Sequence, residues 1–277
     1  MSSVRARRAP PGPAARTALT LSPPPARTAA QFGLWPAIAL KDDNFWKLTL
    51  ALRPIIVNVE FTRGGSTLFK STTFGGFVGV HTAMMPGKFA LSIDTKFDGN
   101  LDLSLLRWIE EPGLDKDVDV TWFARTLFQD YGGYAPALDA LNRTKMIGPG
   151  YVILSGVRPG EGAVVTKGAA KELGKDGETI DLWSLSDEIA QNGTFFLLQT
   201  NYDRTGPAPP FDDRRDPGVL CMEQLGQAGT NFNGLFNVLS AMPNLNRLTT
   251  FSTLMHTETA DFEAYRQQCD HPLCPLF

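Results

Sequence analysis

One stretch of the sequence, residues 197–218, combines polar and charged side chains that could surround a reacting carbonyl group. It reads LLQTNYDRTGPAPPFDDRRDPG and holds one Asn, four Asp, three Arg and four Pro. Fixed dipoles in such a stretch can face a reacting carbonyl group and stabilise the charge that develops on it. The stretch therefore suits an active-site rim. The alternative interpretation is a solvated surface loop whose path the prolines fix.

The composition of the 277-residue chain limits the classes of function. Hydrophobic residues make up 43% and charged residues 20% of the sequence, so a sizeable core can form. A net charge of −3 and a pI of about 5.7 give no reason to expect a nucleic-acid partner. No apolar run reaches the roughly 18 residues of a membrane span. Three isolated histidines form no ligand cluster. We therefore expect no transmembrane segment, no metal and no cofactor.

The three cysteines leave the redox state of the chain open. Cys269 and Cys274 enclose a short loop, which is compatible with a local disulfide and equally with two free thiols. Cys221 is then left over, and in a secreted protein an odd cysteine would indicate a partner chain.

The first thirty residues differ in composition from the rest. They contain five Arg, six Pro and eight Ala but no acidic residue. Such a segment has too little apolar content to offset its ordering entropy, and it lacks the apolar centre of a secretory signal peptide. We expect residues 1–31 to be a disordered or wrongly assigned leader, with an organelle transit peptide as the alternative. Residues 32–277 are then the folded domain.

Apolar patterns predict the elements that would position the polar stretch. Residues 52–74 read as a hairpin with its turn at Gly64–Gly65. Further strands are predicted at 74–80, 89–93, 151–157, 160–167, 195–200 and 248–255. Helices are predicted at 101–110, 120–129, 135–145 and after Thr230. Because strands and helices come in blocks without regular βαβ alternation, we predict an α+β layered fold.

Five motifs occur together in the order and at about the spacing of one enzyme family. They are FKSTTFGGFVGVHT (69–82), PGKFALSI (86–93), GEGAVVTK (160–167), LQTNYDR (198–204) with DDRR (212–215), and NVLSAMPNLNRLTTFSTLM (237–255). Through them the chain resembles acid ceramidase and N-acylethanolamine-hydrolysing acid amidase. The resemblance covers residues 32–277, the acid-ceramidase-like β-chain domain. It implies the four-layer αββα sandwich of the N-terminal-nucleophile hydrolases, here without its first strand.

The resemblance also implies an activity and a set of site residues. Family members cut themselves before a cysteine, leaving an α chain and a β chain. The cysteine then attacks the amide carbonyl of ceramide or an N-acylethanolamine, in lysosomes or the secretory lumen. Asn201 matches the family's oxyanion-binding asparagine, and Arg214 matches an arginine of the active site. Cys269 and Cys274 match a disulfide pair, and Cys221 lies close to the cysteine that bonds the β chain to the α chain.

The sequence departs from the family at the nucleophile. No cysteine precedes Cys221, and Gln31 stands where the family has an aspartate. Thr95 replaces a glutamate, and the adjacent Asp94 is not expected to substitute for it because neighbouring strand residues face opposite sides.

Two of the remaining residues offer little as replacements. Ser2 could act as an N-terminal nucleophile only on a buried strand, which the Arg- and Pro-rich residues after it do not support. His81 stands where the family has an apolar residue, and no metal role is expected for it.

These departures leave two hypotheses. The first is a ceramidase-like amidohydrolase whose written N-terminus is wrong or truncated, which the abrupt start of the likeness at Phe32 favours. The second is a catalytically inactive homologue that binds lipid or a partner protein, which Gln31 and Thr95 favour.

Overall fold

The structure is a computed structural model, and it describes six segments of the chain. These are residues 28–32, 51–96, 118–168, 178–210, 212–270 and 272–275, and for residues 28–32 only the backbone is described. Within them, none of the helices is long and apolar enough to cross a bilayer.

Ten strands are found in the described residues. They are β1 (Thr28–Phe32), β2 (Ile56–Arg63), β3 (Ser66–Phe74), β4 (Thr82–Met85), β5 (Phe89–Thr95), β6 (Gly150–Ser155), β7 (Gly162–Lys167), β8 (Thr179–Ser184), β9 (Phe251–His256) and β10 (Asp261–Arg266). The seven strands β2 to β8 form one sheet in chain order, and β1, β9 and β10 form a second sheet with β9 in the middle. Every pair of neighbouring strands is antiparallel.

Five α-helices lie wholly within the described residues. They are α1 (Val120–Asp130), α2 (Tyr134–Arg143), α3 (Leu185–Asn192), α4 (Arg215–Gly229) and α5 (Phe232–Ser240). The side chain of Asp119 caps α1 by accepting hydrogen bonds from the backbone of Thr121 and Trp122.

The outer face of the seven-stranded sheet packs against α1 and α2. Phe89 and Leu91 alternate along β5 with residues of the opposite face, and both are fully buried against Leu127 and Phe128 of α1. The rings of Phe89 and Phe128 are stacked, with their centroids 4.7 Å apart. This cluster is the larger of the two cores between a sheet and its helices.

The inner faces of the two sheets lie against each other. Met84 of β4 and Ala90 of β5 contact Met255 of β9, and all three are buried. On the far side of β9, Leu254 packs against Leu235 of α5 and Met222 of α4. The order of layers is therefore α1/α2, seven-stranded sheet, three-stranded sheet, α4/α5, which is an αββα sandwich.

Most of the elements predicted from the sequence are confirmed. The hairpin is formed by β2 and β3, and both glycines of its turn, Gly64 and Gly65, have positive φ. The strands predicted at 89–93, 151–157, 160–167 and 248–255 correspond to β5, β6, β7 and β9, and the helices predicted at 120–129, 135–145 and after Thr230 correspond to α1, α2 and α5. The helix predicted at 101–110 lies outside the described residues.

The prediction of a strand at 74–80 is wrong. Strand β3 ends at Phe74, and a turn and a loop follow it. Gly76 has a φ of 92°, a left-handed conformation that strands do not contain. Gly79 lies so close to Thr121 that an added Cβ would sit 2.3 Å from its Oγ1. These glycines therefore allow a turn and a close approach to α1.

The prediction of a strand at 195–200 is also wrong, because residues 193–200 belong to no strand. Phe195, Phe196 and Leu198 pack instead on the cluster formed by α4, α5 and β9. A short apolar run signals burial but does not by itself distinguish a paired strand from a buried segment.

Strand β1 overlaps the boundary predicted between leader and domain. It includes the last four residues of the predicted leader, and Gln31 lies opposite Thr253 of β9. The backbone pairing of a strand does not require apolar side chains, so composition alone does not reveal it. The leader's other residues lie outside the described part, and the domain boundary and the missing first strand stay predictions.

Candidate active site

The side-chain amide of Asn201 is fixed at both ends. Its Oδ1 accepts a hydrogen bond from Nη2 of Arg214 at 2.7 Å, and its Nδ2 donates to the backbone oxygen of Thr95 at 2.9 Å. Because a guanidinium can only donate, the contact with Arg214 identifies the oxygen of the amide. Nδ2 carries a second hydrogen that these two contacts do not use.

The guanidinium of Arg214 is held in turn by Asp212. Its Nε donates to Oδ1 of Asp212, and its Nη2 donates to Oδ2 at 2.8 Å. Both residues are buried, with 5% of Arg214 and 9% of Asp212 exposed. A two-point contact of this kind fixes the plane of the guanidinium as well as its position. The chain Asp212–Arg214–Asn201 is therefore a rigid polar unit.

A cavity of about 170 Å³ extends from this polar unit into the space between the two sheets. Among its polar lining residues, we refer to Asn201, Arg214 and Asp94 as its polar end, and the acidic residue Glu161 also lines the cavity. Its remaining walls are mainly apolar and include Ile153, Phe195, Leu198, Leu235, Val238, Leu239 and Met255. Pockets that hold whole drug-sized ligands measure roughly 300–1,000 Å³, so this space suits a narrow apolar chain.

A second polar cluster holds the loop that carries Asn201. The carboxylate of Asp203 accepts a hydrogen bond from the hydroxyl of Tyr151 at 2.7 Å and lies 3.5 Å from Nζ of Lys96. Lys96 and Tyr151 are buried, with 8% and 1% exposed. The cluster connects the end of β5 and the start of β6 to the residues just after Asn201.

Tyr202 anchors the same loop to the start of α4. Its hydroxyl oxygen accepts a hydrogen bond from the backbone N–H of Arg215 at 3.1 Å. Burial raises the pKa of the Tyr202 phenol, which therefore stays protonated in neutral and acidic solution.

The structure places the two residues of β5 singled out above in different roles. Asp94 lies on the strand face that lines the cavity, whereas Thr95 contributes its backbone oxygen to Asn201. Because the contact with Asn201 comes from the backbone, it does not depend on the side chain that replaces the family's glutamate.

His81 is not among the residues that line the cavity. Its ring stacks on Phe77, with the centroids 4.5 Å apart, and burial lowers its pKa to about 4 despite the nearby Asp119. In the part of the chain that the structure describes, no three His, Cys, Asp or Glu residues are grouped so that they could hold a metal ion.

The cysteines lie apart from the polar unit. Cys269 and Cys274 form a disulfide, and Cys221 is a free thiol on α4 beside the apolar cluster of α4 and α5. No cysteine lines the cavity. A disulfide bond from Cys221 to an α chain stays a prediction.

Sequence reasoning brought Asn201 and Arg214 together only through the family resemblance, and it missed Asp212, Lys96 and Tyr151. The signal for Asp212 was present in the motif DDRR, where acid and arginine are two residues apart. A solvated surface loop can carry the same spacing, so it does not by itself predict a buried pair.

The order of layers and the site between the sheets can be compared with solved structures. A solved structure described as the Caenorhabditis elegans N-acylethanolamine-hydrolyzing acid amidase (NAAA) ortholog matches this chain with a TM-score of 0.68 and 24% sequence identity. The match covers 87% of this chain and 94% of that chain. Together with the αββα layers, it shows that the protein has the fold of the N-terminal-nucleophile hydrolases.

Acid ceramidases are among the sequence relatives of the chain. The human protein is 35% identical over 245 residues, which are 87% of this chain and 58% of that protein. The mouse protein is 35% identical over 233 residues, covering 83% of this chain and 56% of that protein. The chain is thus homologous to acid ceramidase and spans a little over half the length of these relatives. No protein-family model matches it.

Proposed function

We propose that the protein is an amidohydrolase that cleaves the N-acyl amide bond of ceramide-like lipids into a fatty acid and a sphingoid base. One observation carries the proposal: the amide of Asn201, oriented by Arg214, lies at the polar end of an apolar cavity between the sheets. The homology to acid ceramidase supports the same class of reaction.

In the proposed reaction the acyl chain occupies the cavity and its carbonyl lies at Asn201. A cysteine thiolate attacks the carbonyl carbon, and the second hydrogen of Asn201 Nδ2 bonds the oxyanion that forms. Such a donor is worth about 3–4 kcal/mol of the barrier. The C–N bond then breaks, the amine leaves with a proton, and water hydrolyses the thioester to the fatty acid.

The nucleophile of this reaction is not among the residues of this sequence. Cys269 and Cys274 are joined, and Cys221 does not line the cavity. The proposal therefore needs a cysteine from outside this sequence, together with the α chain of the same precursor as a partner. Cys221 is the candidate for a disulfide to that chain. The compartment proposed is the lysosome or the secretory lumen.

The test uses the protein isolated from its natural source with an antibody to the α4–β10 region. It is incubated in acidic buffer with ceramide that carries a labelled acyl chain. We expect release of labelled fatty acid, and we expect a thiol-alkylating reagent to abolish it. Failure to release fatty acid under any acidic condition would overturn the proposed hydrolysis.

The second candidate function is an inactive homologue that binds lipid or a partner protein. Gln31 and Thr95, which replace acidic residues of the family, favour it. In the same assay this function predicts that ceramide is retained and recovered intact. A chain that neither cleaves nor retains ceramide would contradict the hydrolase and the lipid-binding form of the second candidate, and would leave binding of a partner protein as the remaining form.

A further inference from the structure

We propose that Asp212 determines the charge preference of the cavity, so that the site accepts uncharged amide lipids and disfavours lipids that end in a carboxylate at the same position. Because the preference concerns the same cavity, it rests on the function proposed above. It adds a specificity-determining residue that sequence reasoning did not identify.

The positive charge of Arg214 is compensated by Asp212. A lone arginine at the end of an acyl cavity would attract the carboxylate of a fatty acid. Here both Nε and Nη2 of Arg214 are bonded to the carboxylate of Asp212, and both side chains are buried. The pair is electrically neutral as a unit, so Arg214 orients Asn201 without presenting a free positive charge to the cavity.

The neighbouring cation, Lys96, is also paired with a carboxylate. Nζ of Lys96 lies 3.5 Å from the carboxylate of Asp203, which also accepts the hydroxyl proton of Tyr151. Asp94 adds a further carboxylate on the cavity wall. Arg214 and Lys96 are thus each matched by an acid.

A carboxylate ligand and an amide ligand differ in the free energy of desolvation when they enter the cavity. A carboxylate that enters the cavity loses its water and meets no unmatched cation, so its desolvation is not repaid. An amide has no charge to desolvate, and its oxygen can accept the remaining hydrogen of Asn201 Nδ2. Above the pKa of its carboxyl group a fatty-acid product is an anion, and the preference then also favours its departure.

The test compares two probes of equal chain length, octanamide and octanoate, by calorimetry on the full chain at about pH 7, where octanoate is ionised. We expect the wild-type chain to bind octanamide at least about tenfold more tightly. In Asp212→Asn the charge of Arg214 is no longer compensated, and we expect the ratio to shift about tenfold towards octanoate. Asp212→Glu keeps the negative charge and should keep the wild-type preference.

The matched control is Asp213→Asn. Asp213 is the neighbouring acid, and its Oδ1 accepts the backbone N–H of Asp216 at 3.2 Å, at the start of α4. Its removal should leave the ratio of the two affinities unchanged. A general loss of packing would weaken both probes together, so only a change in the ratio supports the role of Asp212.

The binding results distinguish a failure of the role assigned to Asp212 from a failure of the proposed acyl site. If both probes bind and Asp212→Asn leaves their ratio unchanged, the assignment of Asp212 is wrong while the cavity stands. If neither probe binds the wild-type chain, the acyl site of the proposed function is wrong, and the preference falls with it. If Asp212→Asn does not fold, the wild-type chain decides: octanoate must bind more tightly as it becomes protonated at about pH 4, and no gain overturns the proposal.

Discussion

At the scale of single residues, the site is organised around one guanidinium group. Arg214 contacts Asp212 and the oxygen of Asn201, so one buried and one half-buried polar side chain depend on it. Removing one member of a buried ion pair leaves the other without compensation, which costs more than the pair itself contributes. The stability of the chain should therefore respond strongly to this residue.

We expect Arg214→Met to lower the free energy of unfolding by about 3–5 kcal/mol, because the buried carboxylate of Asp212 is left unpaired. Arg204→Met is the control. Arg204 pairs with Asp181 at a partly exposed position, and its loss should cost no more than about 1 kcal/mol. Urea unfolding of both variants measures the difference. Equal losses would contradict the account of Arg214 as a buried, paired charge.

His81 carries a prediction about acidic pH. Burial lowers its pKa from 6.5 to about 4 in the folded chain. Between these two values the unfolded chain binds a proton that the folded chain does not, so stability is lost as the pH falls through this window. The buried imidazole of His81 therefore destabilises the fold at acidic pH, although the names of the chain's relatives, acid ceramidase and acid amidase, refer to acidic conditions.

We expect His81→Phe to remove this loss, since a phenyl ring can keep the stacking on Phe77 and has no proton to gain. Relative to the variant, the wild-type chain should lose about 3 kcal/mol between pH 7 and pH 4. Urea unfolding at both pH values gives the two differences. Parallel pH dependence in wild type and variant would show that His81 does not titrate in this way.

At the scale of elements, glycines separate what the sequence could predict from what it could not. Gly64 and Gly65 lie between two alternating runs and indicate a hairpin turn, which β2 and β3 form. Gly76 and Gly79 lie inside an apolar run, and there the pattern predicted a strand that does not exist. The pattern could not reveal that the loop turns in order to pack on α1, because that contact is tertiary.

We expect Gly79→Ala to destabilise the chain by about 1–3 kcal/mol, because the new Cβ would overlap the side chain of Thr121 on α1. Gly75→Ala is the matched control in the same loop. Its Cβ would meet the backbone oxygen of Ile55 at 3.5 Å, an ordinary contact, so its effect should be small. Thermal unfolding compares the two, and a neutral Gly79→Ala would contradict the close packing of loop and helix.

Lys167 is a charged residue whose tertiary contacts the sequence pattern likewise could not reveal. The end of β7 was predicted, but not that its lysine is fully buried and donates to the backbone oxygens of Leu141 and Thr144 at the end of α2. Burial lowers its pKa to about 8. Lysines are nearly always exposed, so only the packing of α2 on the sheet could reveal this contact.

At the scale of the whole molecule, the layers create the cavity. The inner faces of the two sheets meet at Met84, Ala90 and Met255, and the cavity opens beside this contact. The order of blocks in the sequence predicted an α+β fold, and the family resemblance supplied the αββα layers. The cavity itself could not be predicted, since its walls come from segments far apart in the chain.

The most direct test of the account is to locate a bound acyl lipid on the chain. A ceramide whose acyl chain carries a photoreactive diazirine is irradiated with the protein, and the labelled peptides are identified by mass spectrometry. The account predicts adducts on the apolar walls of the cavity, at Leu198, Leu235, Val238 or Met255, and their loss in the presence of excess unlabelled ceramide. Adducts confined to the outer surface, or unaffected by that competitor, would contradict it.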